Sequence, residues 1–125
     1  MMNLAILGLG RWGKTLVESI QGKSNLVRFT RAATRTPSKV KEFCNEYNIE
    51  LSDNYESILS DKNVAGVVIT TPHSQHEKQI VLAANAGKHI FCDKPVTLTR
   101  KSAENAFASV RKANVIFAAG HNRRF

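Results

Sequence analysis

The chain has only two cysteines, three prolines and 10 acidic residues in 125 positions, and no long apolar run. Cys44 and Cys92 stand far apart, with no Cys-x-x-Cys and no His/Cys cluster at metal-ligand spacing. That excludes a disulfide scaffold and a metal site, and it predicts two buried thiols in a reducing compartment, the cytoplasm. No stretch approaches the roughly 18 apolar residues needed to span a bilayer. The opening residues 1–7 are apolar but lack a basic flank and run straight into Gly8-Leu9-Gly10-Arg11, which predicts a first strand rather than a signal peptide. Hydrophobic residues make up 42%, enough for one core, and the length suits a single domain. Secreted, membrane-spanning and disordered classes are thereby excluded.

The shortage of acids leaves 18 Lys+Arg and a formal net charge of +8. A nucleic-acid binder concentrates such charge and interleaves exposed aromatics. Here the cations spread from Arg11 to Arg124, and Arg123-Arg124 is the only adjacent arginine pair. Phe29, Phe43, Phe91, Phe107 and Phe117 sit in apolar-periodic segments and are expected in the core. Nucleic acid is therefore not an expected partner. A basic nucleic-acid binder remains a third and weaker option, which predicts steeply salt-dependent affinity. A small phosphorylated ligand explains the charge equally well.

Apolar runs ending at glycine or a turn predict strands over residues 3–7, 26–33, 64–69, 89–92 and 115–119, with a brief one at 49–51. Between them, helical spacing predicts helices over 12–21, 36–47, 74–86 and 99–113, with a short one around Tyr55, Ile58 and Leu59. Ser74 or His73 is expected to cap the helix after Pro72. Strands alternating with helices throughout imply an α/β fold, a doubly wound parallel sheet in three α/β/α layers.

Gly8, Gly10 and Gly13 form Gly-x-Gly-x-x-Gly between the first strand and the first helix. The first glycine permits the tight turn, the second lets backbone approach a pyrophosphate, and the third lets helix and strand pack closely. The helix N-terminus supplies free N–H groups and a partial positive charge. An NAD site would place a carboxylate about 20 positions on, to hold the ribose 2′-hydroxyl. This chain has no acid between Glu18 and Glu42 and offers Thr34-Arg35-Thr36 instead. Arg35 can fork onto a 2′-phosphate with the two hydroxyls donating, so NADP is favoured over NAD. The plainer alternative makes Arg35 a solvated loop charge.

Ligands of doubly wound sheets bind beyond the carboxyl ends of the strands. Three further loops qualify, namely residues 70–76, 93–95 and 120–125. His76 could line the site or be a helix-face residue bonded to a neighbouring loop. Asp93 and Lys94 could be a surface ion pair, or the lysine could meet a substrate hydroxyl or the nicotinamide ribose.

Together, Gly8-Leu9-Gly10-Arg11-Trp12-Gly13, Thr71-Pro72-His73-Ser74-Gln75-His76, Asp93-Lys94-Pro95 and Gly120-His121-Asn122-Arg123-Arg124-Phe125 resemble the glucose–fructose oxidoreductase / inositol dehydrogenase (Gfo/Idh/MocA) family over the whole chain. The resemblance implies a Rossmann fold and hydride transfer between a nicotinamide and a hydroxyl-bearing carbon, often of a sugar or cyclitol. It implies that Gly8, Leu9, Gly10, Arg11, Trp12 and Gly13 hold the pyrophosphate and that Thr34, Arg35 and Thr36 take the adenosine end. Thr71, Pro72, His73 and His76 would line the nicotinamide ribose side. Lys94, beside Asp93, would be catalytic, orienting or protonating the substrate oxygen, while His121, Asn122 and Arg123 would reach the nicotinamide or substrate. Asp93 departs from the family's Glu-Lys-Pro by one methylene.

The chain ends where the family's first domain ends, without the larger domain that builds the substrate pocket. The expectation is one cofactor-binding domain over residues 1–125, catalytically incomplete alone, whose exposed surface favours a homodimer or a marginally soluble monomer. A sugar or polyol substrate would require the second domain. The alternative is a free-standing NADP-binding or sensing module without catalysis.

Overall fold

The computed structural model describes residues 1–52, 54–93 and 99–120, with the side chain of His73 outside the description. Strands and helices alternate along the chain: β1 (Met2–Leu7), α1 (Arg11–Ile20), β2 (Val27–Ala33), α2 (Pro37–Glu46), β3 (Glu50–Leu51), α3 (Tyr55–Leu59), β4 (Gly66–Ile69), α4 (His76–Asn85), β5 (His89–Asp93), α5 (Arg100–Ala113) and β6 (Phe117–Gly120). The strands form one sheet in the order β3-β2-β1-β4-β5-β6, and every described pairing is parallel. Chain order reverses direction between β1 and β4, the doubly wound arrangement expected from the alternation.

Both faces of the sheet are covered, which explains why the central strands read as near-continuous apolar runs. Ala5, Leu7, Val67, Ile69, Ile90 and Cys92 pack with Ile58, Ile80, Ala106 and Val110 from α3, α4 and α5. Ile6, Phe29, Ala32 and Val68 pack on the other side with Val17, Val40 and Cys44 from α1 and α2. Both cysteines are buried free thiols. Of the five phenylalanines expected in the core, only Phe29 is fully enclosed, at 1% exposure. The other four are half-buried at its margins, where Phe107 meets Phe117 edge-on at 5.2 Å and Phe43 meets Tyr47 at 4.8 Å.

A bulge interrupts the β1–β2 ladder: Leu4 pairs Phe29 but Ala5 pairs Arg31, leaving Thr30 as the extra residue. Phe29 and Ala32 consequently share a face, while Arg31 turns toward α3. There its guanidinium donates to Ser52 Oγ at 2.7 Å and pairs with Asp61 at 3.0 Å. Nearby, the Lys88 ammonium donates to the carbonyls of Asp61 and Val64 at 2.7 Å each.

The loop after β4 differs from expectation. Residues His73–Gln75 form a 3-10 turn and α4 starts at His76, with Gln75 rather than Ser74 at the N-cap position and its side chain making no cap bond; the side chain of His73 lies outside the described residues. The Gln75 N–H donates to the Pro72 carbonyl at 3.0 Å, which closes the 3-10 turn.

Candidate cofactor cleft

A cleft of about 700 Å³ opens at the carboxyl edge of the sheet, over the switch between β1 and β4. Its floor is the glycine turn, which glycine chemistry explains position by position. Gly8 has φ +88°, in the left-handed region that side chains avoid. Its N–H donates to the Ala33 carbonyl at 2.8 Å, tying the turn to the end of β2. The Thr70 hydroxyl lies 2.7 Å from the Gly8 carbonyl and 2.9 Å from that of Leu7, tying the turn to the end of β4. A Cβ on Gly13 would collide with the Gly8 carbonyl oxygen and sit 3.0 Å from Thr70 Oγ1, so only glycine lets α1 approach this closely. A Cβ on Gly10 would meet no protein atom within 4 Å.

Gly10 precedes α1 without a side-chain cap, and the first bond closing the helix runs from Lys14 N–H to the Gly10 carbonyl at 3.0 Å. The first-turn N–H groups of Arg11, Trp12 and Gly13 are thus left to water or an anion. The buried Trp12 indole N–H likewise has no acceptor among the described residues. An open approach at Gly10 and unspent backbone donors fit a phosphate-bearing ligand, while Trp12 itself does not line the cleft.

The remaining walls come from the segments that follow three strands. Ala33, Thr34, Arg35 and Thr36 form the end beyond β2, and Asn54 and Tyr55 stand beyond β3. Thr70, Thr71, Pro72, Gln75 and Gln79 form the wall beyond β4. Arg35 and Thr36 are exposed, and among the described residues no carboxylate lines the cleft. Tyr55 donates to the Gln79 carbonyl at 2.9 Å, and burial raises its hydroxyl above the ordinary range. The Thr71 hydroxyl donates to Gln79 Oε1.

Of the residues proposed from sequence, Gly8, Leu9, Gly10, Thr34, Arg35, Thr36, Thr71 and Pro72 come together on this surface. Gly13 is buried behind the turn, and Arg11 is exposed at the start of α1. His76 is fully buried beneath the β4 wall rather than lining it. Asp93 is buried at the end of β5, in register with Gly120. Lys94, His121, Asn122 and Arg123, with the side chain of His73, lie outside the described residues. Sequence reading singled out Thr70 and Gln75 only as members of the loop 70–76, and it overlooked Asn54, Tyr55 and Gln79. The carboxyl-edge rule, applied to the two-residue strand β3, would have found Asn54 and Tyr55. Among the described residues no group of three His, Cys, Asp or Glu could hold a metal ion, and no helix is long and apolar enough to cross a membrane.

Residues 2–121 match the model of the oxidoreductase family with an NAD-binding Rossmann fold, Gfo/Idh/MocA. The chain belongs to the Gfo/Idh/MocA oxidoreductase family. A curated family member, scyllo-inositol 2-dehydrogenase (NAD(+)) of Bacillus subtilis, is 35% identical over 97% of this chain and 36% of its own length. The scyllo-inositol dehydrogenase of Lactobacillus casei, solved with bound NAD(H) and scyllo-inositol, superposes at TM-score 0.88 with 27% identity, over 95% of this chain and 36% of that one. KijD10, a 3-ketoreductase from Actinomadura kijaniata solved with NADP, superposes at TM-score 0.86 over 94% of this chain and 37% of its own. Its 24% identity shows the shared fold alone. The chain spans about a third of the length of the curated relatives it matches.

Proposed function

We propose that the chain binds NADP in this cleft as the cofactor domain of a dehydrogenase acting on a hydroxyl-bearing carbon of a cyclitol or sugar. The observation that carries the cofactor choice is the end beyond β2. Arg35 is exposed there, flanked by Thr34 and Thr36, and no described carboxylate lines the cleft to repel a 2′-phosphate. A planar guanidinium with hydroxyls beside it suits a phosphate rather than a bare ribose diol. The uncapped first turn of α1 and the room at Gly10 support a pyrophosphate between Gly8 and Gly13. The names of the inositol dehydrogenases among the relatives support the substrate class.

When bound, the nicotinamide supplies or accepts the hydride. The chain's own contribution is to hold it and to handle the proton. In this reading Thr71, Pro72 and His73 border the nicotinamide ribose. Lys94, which directly follows Asp93 in the chain, orients the substrate oxygen or gives it a proton. His121, Asn122 and Arg123, following β6, reach toward the reacting end. The substrate pocket requires further protein, and the exposed Ile116, just before the last strand, with Ala118 and Ala119 within it, supports self-association as a dimer.

Calorimetric titration of the chain with NADPH and with NADH tests the reading. NADPH should bind at least about tenfold tighter, a difference of about 1.4 kcal/mol. Equal affinities would remove the 2′-phosphate role of Arg35, and binding of neither nucleotide would sink the cofactor assignment.

A further inference from the structure

His76 opens α4, yet its ring is fully buried, and it sits behind the cleft wall rather than on it. Nε2 lies 2.8 Å from the Thr71 carbonyl oxygen. A carbonyl only accepts, so Nε2 carries the proton. Nδ1 lies 3.4 Å from Cys92 Sγ, and in a neutral ring with its proton on Nε2 this nitrogen accepts. Burial, with a smaller contribution from the Asp93 carboxylate, pushes the Cys92 thiol up to about 12, so the thiol keeps its proton and donates it. The direction of both hydrogen bonds follows.

The two ends of this chain of bonds belong to different parts of the site. Thr71 is part of the β4 wall, its hydroxyl turned to Gln79 and its carbonyl turned inward to His76. Cys92 lies in β5, one residue before Asp93 and two before Lys94. We propose that His76 is a positioning residue for the cofactor cleft: its Nε2–H holds the Thr71 carbonyl inward, and the Cys92 thiol fixes the ring that does so. A packing residue alone needs no nitrogen here, whereas the histidine nitrogen reaches that carbonyl at 2.8 Å. Without the donor, the carbonyl gains by turning out to water, and Thr71 and Pro72 leave their places. Binding must then restore them, which weakens apparent affinity by the fraction of chains with the loop in place.

The inference rests on the dinucleotide reading above, and its test separates the two. His76→Gln, His76→Asn and Cys92→Ala are compared with the unaltered chain by NADPH titration, by amide hydrogen exchange at Thr71, Ser74 and Gln75, and by thermal melting. His76→Gln keeps an amide donor at the reach of Nε2 and should bind within about threefold of the parent. His76→Asn, whose shorter amide falls short of Thr71, should bind about tenfold weaker and exchange faster, on the scale of one buried carbonyl left unpaired. Cys92→Ala frees the ring that the thiol fixes, so it should weaken binding less than His76→Asn, by about threefold, and speed exchange at Thr71; parental exchange in that variant would remove the thiol from the proposal. A folded His76→Asn with parental affinity and exchange would overturn the proposal. Should that variant fail to fold, a folded His76→Gln that binds tenfold weaker overturns it instead. Nitrogen NMR of the ring in the free chain should show the proton on Nε2, and a proton on Nδ1 refutes the assignment. If the parent binds no nucleotide, the cofactor reading fails, while exchange and ring spectra still decide whether His76 holds the loop.

Discussion

Adding one methyl group to the glycine turn should have opposite consequences at its second and third glycines. At Gly13 the new Cβ would lie inside contact distance of the Gly8 carbonyl oxygen, 3.0 Å from Thr70 Oγ1 and 3.3 Å from the Gly8 carbonyl carbon. The obstructing atoms are mostly backbone, so α1 must move off the turn. Overpacking of this kind costs about 1–3 kcal/mol, and the rigidity of the obstacle argues for the upper end. Alanine recovers about 1 kcal/mol of helix propensity over glycine. The net is about 2 kcal/mol, which for a domain of this size lowers the melting temperature by about 6–10 °C. At Gly10 φ is −77° and the Cβ meets nothing, so Gly10→Ala should melt within about 2 °C of the parent. Yet that Cβ would stand in the approach to the unpaired N–H groups of α1. Losing one or two hydrogen bonds to a charged phosphate costs about 1.5–3 kcal/mol, a 10- to 100-fold loss of NADPH affinity. Scanning calorimetry and nucleotide titration on both variants separate the effects. Parental NADPH affinity in Gly10→Ala would refute the phosphate cradle, and a parental melting temperature in Gly13→Ala would refute the close-approach argument.

Arg35→Ala should lower NADPH affinity about tenfold and leave NADH affinity within about twofold, by the same titration; a loss shared equally by both nucleotides would contradict a 2′-phosphate contact. Asp61 accepts the Asn63 N–H and pairs with Arg31, and these hold its carboxyl below the usual range. Because the folded value is depressed, its stabilisation is present above the ordinary carboxylate value of about 3.9 and is lost as pH falls through the folded value. Urea midpoints at pH 6 and pH 3 should therefore fall further for the parent than for Asp61→Asn, and parallel falls would exclude this carboxylate as a source of acid sensitivity. Lys94→Ala should keep NADPH affinity within a few-fold while lowering turnover by about 10²–10⁴ in the protein carrying its substrate domain; unchanged turnover removes Lys94 from the chemistry.

Element order, the glycine turn and the polar end beyond the second strand were legible from residues alone because each is a local signal. Apolar runs of β1, β4 and β5 ending at Gly8, Thr70 and Asp93 report strands buried on both faces, and helical spacing reports the layers between them. The threonines and Arg35 after Ala33 follow directly from counting along the chain. Other features had no local signature. Thr70 anchors Gly8 from 62 positions away because β4 lies beside β1 in the sheet. Tyr55 and Gln79 meet across the gap between α3 and α4, where side-chain spacing within either helix says nothing about the partner. The bulge at Thr30 moved Arg31 out of simple alternation and onto Asp61. His76 looked as able to face the cleft as to face its own helix's neighbours, and only the packing of α4 against β5 set its ring between Thr71 and Cys92. Periodicity fixes which face a residue takes within its own element, whereas strand order and register decide which distant groups that face will meet.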